Sequence, residues 1–309
     1  SPRYSTGYTT LFNTLGIMVE THMLKPYKQR VEQTYVFMET LIDFTIKNSQ
    51  KIKELRNNAV TKILAKKTYP ITYNLNNDAF ATYDFKGFED SYIDSKVTNG
   101  KRLFYDRSKP YTTAIKYFNE FTVSKEINIP KAYILKQGWW KIVDRLHDNN
   151  IEYTIFKNDT TINVEVQHIK DYKTVSKPYE GHYLHYNTEI ISTQKTISFN
   201  KGDIYIPINQ KGIRYIIETL EASATDSFFN WNFFDTILQQ KEGYSAYVFE
   251  DVAEELLNTN TALKDSLKAK MKTDKEFAKN ASAQLDFVYK NSVYYEPAHL
   301  KLPVYKVYN

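Results

Sequence analysis

The period of the apolar residues changes twice along this chain, and those two changes limit what it can fold into. Between Lys25 and Lys67 the spacing is helical. Val31, Tyr35, Met38, Leu41 and Ile42 share one face, and after a break at Asn48-Ser49 so do Ile52, Leu55, Ala59 and Ile63. Pro26 stands near the start of the first of these helices, where a missing N–H costs nothing. After Pro70 the texture becomes that of strands: YPITYNL, AFATYDF, GKRLFYD, YTTAIKYF and NEFTVSKEINI, separated by Asn, Asp, Gly and Pro. Helical spacing returns over 212–221, 227–240, 246–257, 260–271 and 274–289. The pattern predicts an α+β fold, with its principal boundary somewhere in 47–70.

One stretch inside the strand-rich part reads differently. In PKAYILKQGWWKIVDRLHDNNIEYTIF, Ala132–Leu135 is a short strand. Trp139, Ile142, Val143 and Leu146 form a helical face that Asn149-Asn150 stops, and Ile151–Phe156 is a second strand. Strand, helix and strand in so few residues predict a small βαβ unit. Strands resume at TINVEVQHI, GHYLHYNTEII, KTISFN and DIYIPI, and no internal repeat is visible.

Composition excludes several chemistries. The 309 residues contain no Cys, which removes disulfides, thiolate metal sites and a Cys nucleophile. Nine Gly and no Gly-rich run leave nothing with which to build a phosphate loop. No Gly-x-Ser-x-Gly turn is present. The net charge of +5 is dispersed, which argues against nucleic acid and anionic membrane as partners. No apolar run is long enough for a membrane span. Aromatics are plentiful, with 26 Tyr, 18 Phe and 3 Trp. They fit strands with one wet edge, and alternatively an aromatic binding surface. Trp139-Trp140 suits a sugar platform, or a helix with one ring in the core and one at its margin.

The chain opens SPRYSTGYTTLFNTLGIMVETHMLKPYKQRV. Residues 9–20 predict a buried strand ending in a carboxylate, Glu20. A half-buried carboxylate at a strand end suits a general base, because desolvation raises its pKa. The alternative is a structural Glu paired with a nearby Lys or Arg. Of the six His, only His182 and His185, with Glu189, form a local cluster. Positions three apart on a strand point to opposite faces, so structural histidines are the expected reading there and a metal site the lesser one.

That opening phrase resembles the end of the catalytic domain of a zinc carboxypeptidase of the carboxypeptidase A-like superfamily, in a bacterial branch with a long C-terminal extension. VETHMLKPYKQRV is similar to the phrase around that family's catalytic glutamate. LQQKEGYSAYVFEDVAEELL and QLDFVYKNSVYYEPAH look like the extension. The resemblance implies a terminal strand and helix of a carboxypeptidase-like α/β catalytic domain over 1–48. A helical connector over 49–66 and a β-rich accessory domain with a helical last quarter over 67–309 would follow. It implies that Glu20 takes the proton of a zinc-bound water during peptide hydrolysis. It also implies that Arg3 grips the substrate's terminal carboxylate, with Tyr4 and Tyr8 near the leaving group. The family's His-x-x-Glu and later His are absent here. The zinc cofactor would therefore have its ligands upstream of this chain, the missing N-terminal part of the catalytic domain would be its partner, and the chain alone would be inactive. The resemblance implies export to the periplasm or outside the cell. The other function class is a non-catalytic accessory module over about 67–309, which stabilises the peptidase domain or binds peptide or glycan.

Overall fold

A computed structural model describes residues 1–308. In chain order the elements are α1 (Ser5–Leu11), α2 (Tyr27–Lys47), α3 (Ser49–Leu64), β1 (Thr68–Leu75), β2 (Ala81–Asp94), β3 (Lys101–Tyr117) and β4 (Phe121–Asn128). There follow β5 (Ala132–Leu135), α4 (Trp140–Asp148), β6 (Thr154–Ile155), β7 (Thr160–Thr174), β8 (His185–Phe199), β9 (Ile204–Pro207) and α5 (Ile213–Leu220). The last are a 3-10 turn at Asp235–Leu238, then α6 (Ala246–Thr259), α7 (Thr261–Thr273), α8 (Lys275–Lys279), α9 (Ala281–Lys290) and β10 (Lys301–Val307). The chain divides into two compact units, one of residues 1–65 with 130 onward, the other 66–129. This division differs from the expected 1–48, 49–66 and 67–309, because among the described residues the strands between Lys66 and Ile129 pair only with one another.

The larger unit is built on a six-stranded antiparallel sheet in the order β6-β9-β5-β10-β7-β8. β5 and β6 both run antiparallel to β9, so they are parallel to each other with β9 between them, and α4 makes the crossover. This is the strand-helix-strand unit of the sequence, opened by one inserted strand. Ala132, Tyr133, Ile134 and Leu135 are all fully buried, so both faces of β5 are covered. One face holds Ala132, Ile134, Val164, Val166, Phe199, Tyr305 and Val307. Ile142 and Leu146 of α4, and Ile213, Ile216, Ile217 and Leu220 of α5, are buried as well. A second small core joins Phe249, Ala253, Leu263, Val288 and Tyr289. Its short helices are separated by Asn260, Asp274 and Asn280, whose side chains each accept a backbone N–H three positions on and so start the next helix.

Three expectations are corrected. Residues 9–20 are not a buried strand. α1 ends at Leu11, and the extended stretch after it pairs with no strand among the described residues, leaving Leu15, Ile17, Met18 and Val19 43–75% exposed. An apolar run becomes a strand only where another strand offers a ladder. The segment 227–240 is turns and one 3-10 turn rather than a helix; Asn232 in the left-handed region (φ 65°) interrupts it. The segment 274–289 is two helices, broken at the Asn280 cap. The sequence reading also missed β10, a central strand. Its Pro303 argues against a central strand, yet the Pro303 carbonyl still accepts from the Lys136 N–H.

The smaller unit consists of two nested antiparallel pairs, β1 with β4 and β2 with β3. In β2 and β3, Tyr83 lies opposite Ile115, and Gly87 opposite Tyr111. A Cβ on Gly87 would come within 2.7 Å of the Tyr111 ring, so the absent side chain is what lets that ring lie across the strand. Tyr83, Phe85, Tyr111, Ile115 and Tyr117 form an uncharged face that is 39–58% exposed.

Candidate functional site

The residues picked out in the opening segment take three different environments. Glu20 lies on the exposed stretch after α1 and makes no ion pair among the described residues. His22 follows it in a turn, where its Nδ1 accepts from the Leu24 N–H (3.2 Å) and its carbonyl from the Lys25 N–H (3.0 Å). Pro26 then leads into α2. No residue of α2 is buried, and Val31, Tyr35, Met38 and Ile42 are 48–62% exposed. The apolar face read in the sequence exists, but no described residue of this unit buries it. A concavity of about 870 Å³ on this helix is lined by Tyr35, Met38, Ile42 and Phe44 together with Glu39 and Asp43.

Tyr4 precedes α1, is half exposed, and its carbonyl accepts the Tyr8 N–H (2.8 Å). Tyr8 donates its hydroxyl to Asn149 Oδ1 (2.6 Å), and its ring meets Phe12 edge-on at 5.5 Å. Phe12 in turn stacks on Tyr215. Arg214 and Arg56 complete the anchorage: Arg214 Nη1 donates to the Thr10 carbonyl (2.7 Å), and Arg56 Nε to the Asn13 carbonyl (3.1 Å).

Arg3 has the densest surroundings. Its Nε–H donates to Asp226 Oδ1 (2.7 Å), Nη2 lies 2.5 Å from the same oxygen, and its backbone N–H donates to Oδ2 (3.1 Å). The Ser1 hydroxyl also donates to Oδ2, and Trp231 Nε1–H donates to Oδ1 (3.3 Å). The guanidinium carbon sits 5.4 Å from the Tyr179 ring centre and 5.7 Å from that of Trp231. Only 2% of the Asp226 side chain is exposed. Burial pushes its carboxyl up, but the hydrogen bonds from Arg3 and Ser1 and the Arg3 charge outweigh that and hold it below the usual carboxylate value. A carboxyl depressed in the folded state contributes stability above its unfolded pKa, and loses it as pH falls through the folded one. The stability gap between wild type and Asp226→Asn should therefore be full at pH 7 and close as pH drops below about 4. Urea unfolding of both proteins at pH 7 and pH 3 checks this, and a gap that widens in acid would contradict it.

No contact joins Glu20 to Arg3, Tyr4 or Tyr8 among the described residues. The cluster His182, His185 and Glu189 is also dispersed. His185 is buried between Thr174 Oγ1 (2.9 Å from Nδ1) and Asp235 Oδ1 (3.0 Å from Nε2). His182 packs against Trp231, and Glu189 pairs with Lys170. Among the described residues no group of three or more His, Asp or Glu side chains could hold a metal. The donors present do not fit a zinc site.

The sequence reading missed a second constellation. The register across β5, β10 and β7 puts Tyr133 beside Lys306 and Lys306 beside Glu165. Glu221, just past α5 and fully buried, completes it. Lys306 Nζ lies 2.9 Å from Glu221 Oε1 and 3.3 Å from Glu165 Oε1, and the Tyr133 hydroxyl donates to Glu221 Oε1 (2.6 Å). Desolvation, together with the Glu221 carboxylate, raises the Tyr133 phenol well above its ordinary value. Lys306 could have been noticed: a lysine inside LPVYKVY is either a strand's wet position or a buried charge that needs carboxylates.

Asp226, Tyr179 and Trp231 had no comparable signal, since they lie in irregular loops far from Arg3 in sequence. Comparison with models of protein families, with curated proteins and with solved structures returns no match.

Proposed function

We propose that this chain is the C-terminal portion of a zinc metallocarboxypeptidase of the carboxypeptidase A-like superfamily, with Glu20 as its general base. The observation that carries the reading is the unburied apolar surface around that residue. Leu15 to Leu24 and the outer face of α2 expose large aliphatic and aromatic side chains next to a carboxylate, in the phrase that resembles the family's catalytic one. Monomeric soluble proteins rarely leave patches of this kind uncovered. The N-terminal part of the catalytic domain would cover it, and would bring the zinc ligands that this chain does not provide. Glu20's own part is to accept the proton of the attacking water and pass it to the departing amine. Arg3 keeps Nη1 outside its pairing with Asp226, so it retains donors for a substrate's terminal carboxylate. Tyr4 and Tyr8 would flank that end of the substrate. Export to the periplasm or beyond belongs to the same reading; no helix among the described residues is long and apolar enough to cross a membrane.

A second reading, an accessory module that recognises peptide or glycan, is favoured by the exposed aromatic face of β2 and β3. The two separate on activity. The peptidase reading requires the longer protein to release single residues from the C-terminus of a peptide and to contain zinc. The module reading requires binding without hydrolysis.

A further inference from the structure

We propose that Asp226, Tyr179 and Trp231 form a receptor site for a guanidinium group, occupied in this structure by the chain's own Arg3 and open to the arginine side chain of a peptide in its place. The proposal does not depend on the role of Glu20, and because it displaces Arg3 from Asp226 it is an alternative to Arg3 as the clamp for a substrate's carboxylate.

The site has the two components that guanidinium recognition needs. One is an anion, and Asp226 supplies it, with a side chain only 2% exposed when Arg3 is in place. The other is a pair of ring faces, supplied by Tyr179 and Trp231, with the guanidinium carbon within 6 Å of both ring centres. A planar, weakly hydrated guanidinium suits such a slot, whereas a compact ammonium would lose more hydration and could not fill the Nε and Nη2 positions together.

The walls stand largely without Arg3. Tyr179 and His182 exchange backbone hydrogen bonds of 2.9 Å in each direction, closing a tight turn. The Tyr179 and His182 rings both pack edge-on against Trp231. Asn230 Nδ2 donates to the Ala224 carbonyl (2.9 Å), and Ser227 Oγ to the Ala222 carbonyl (3.3 Å), which pins the loop carrying Asp226. Asn232 Nδ2 donates to the Tyr183 carbonyl (2.9 Å) and so ties the two loops together. Trp231 Nε1–H orients the carboxylate from within the site.

Left-handed backbone occurs in these loops, as it does at six other positions among the described residues. Glu180 (φ 49°), Asp226 (φ 64°) and Asn232 (φ 65°) all adopt it, together with Gly181. Such residues cost free energy individually and gather where a binding geometry is held in place. Asp226 is itself one of them, so the residue that carries the charge is also the one whose backbone is strained to present it.

The test uses the full chain with Arg3→Ala, which empties the site, and methylguanidinium as probe. The expected result is saturable binding with a dissociation constant on the order of 1–10 mM, read by calorimetry, and a rise in melting temperature at saturation. Methylammonium at the same ionic strength should give neither effect, and Arg3→Ala combined with Asp226→Asn should not bind methylguanidinium. Failure of folded Arg3→Ala to bind methylguanidinium, or equal binding of methylammonium, would overturn the proposal. If Arg3→Ala does not fold, Arg3→Lys takes its place. A guanidinium-specific site leaves that variant less stable than wild type and stabilised by methylguanidinium; a variant as stable as wild type and indifferent to the probe overturns the proposal.

Discussion

On the proposed peptidase reading, replacing Glu20 by Gln in a protein that also carries the zinc-binding part is expected to lower kcat about 10²–10⁴-fold with little change in KM, the loss that follows removal of a positioned general base. The substitution keeps the size and polarity of the side chain and removes only its capacity to take a proton. Glu20 is exposed in this chain and carries none of its packing, so Glu20→Gln made in this chain should unfold at the same denaturant concentration as wild type. A loss of rate without a loss of stability is the signature to look for. If the variant turns over at the wild-type rate, Glu20 is a surface carboxylate and the resemblance of its phrase carries no chemistry.

The second large effect concerns stability. Lys306→Ala is expected to destabilise the larger unit by about 3–5 kcal/mol, because it leaves buried carboxylate charge without its cation. Glu221 is fully buried, its Oε2 has no hydrogen-bond partner, and Oε1 is shared between Lys306 and the Tyr133 hydroxyl. Removing only one side of such a network costs more than removing both. Lys306→Met combined with Glu221→Gln should therefore recover a large part of the loss. Urea unfolding of the three proteins measures this. A loss under about 1 kcal/mol for Lys306→Ala would show that water already screens the cluster.

Regular elements with a clear period were legible in the sequence. The faces of α2, α3 and α4 follow directly from apolar spacing, and the Asn48-Ser49 break falls where one helix gives way to the next. What could not be read is what depends on long-range pairing. LGIMV has the composition of a core strand but finds no ladder, and so stays exposed. KLPVYKV carries a proline yet becomes a central strand, because β5 and β7 flank it on either side. The same limit applies to the candidate site. Arg3 was singled out only through the family resemblance, as a clamp for a substrate's carboxylate, and its pairing with Asp226 was not foreseen. The carboxylate it meets lies 223 positions away in a loop with no regular pattern, and only folding brings the two together. Glu20 is the reverse case: its phrase is legible, and the folded chain leaves it exposed with no ion pair among the described residues.

The most direct measurement incubates the longer protein with a peptide bearing a free C-terminal carboxylate, and with its C-terminally amidated twin, and follows both by mass spectrometry. The account predicts a ladder of products shortened one residue at a time from the C-terminus of the free acid, no ladder from the amide, and loss of the ladder on zinc chelation. An intact free-acid peptide, or cleavage at internal bonds of both peptides alike, would contradict it.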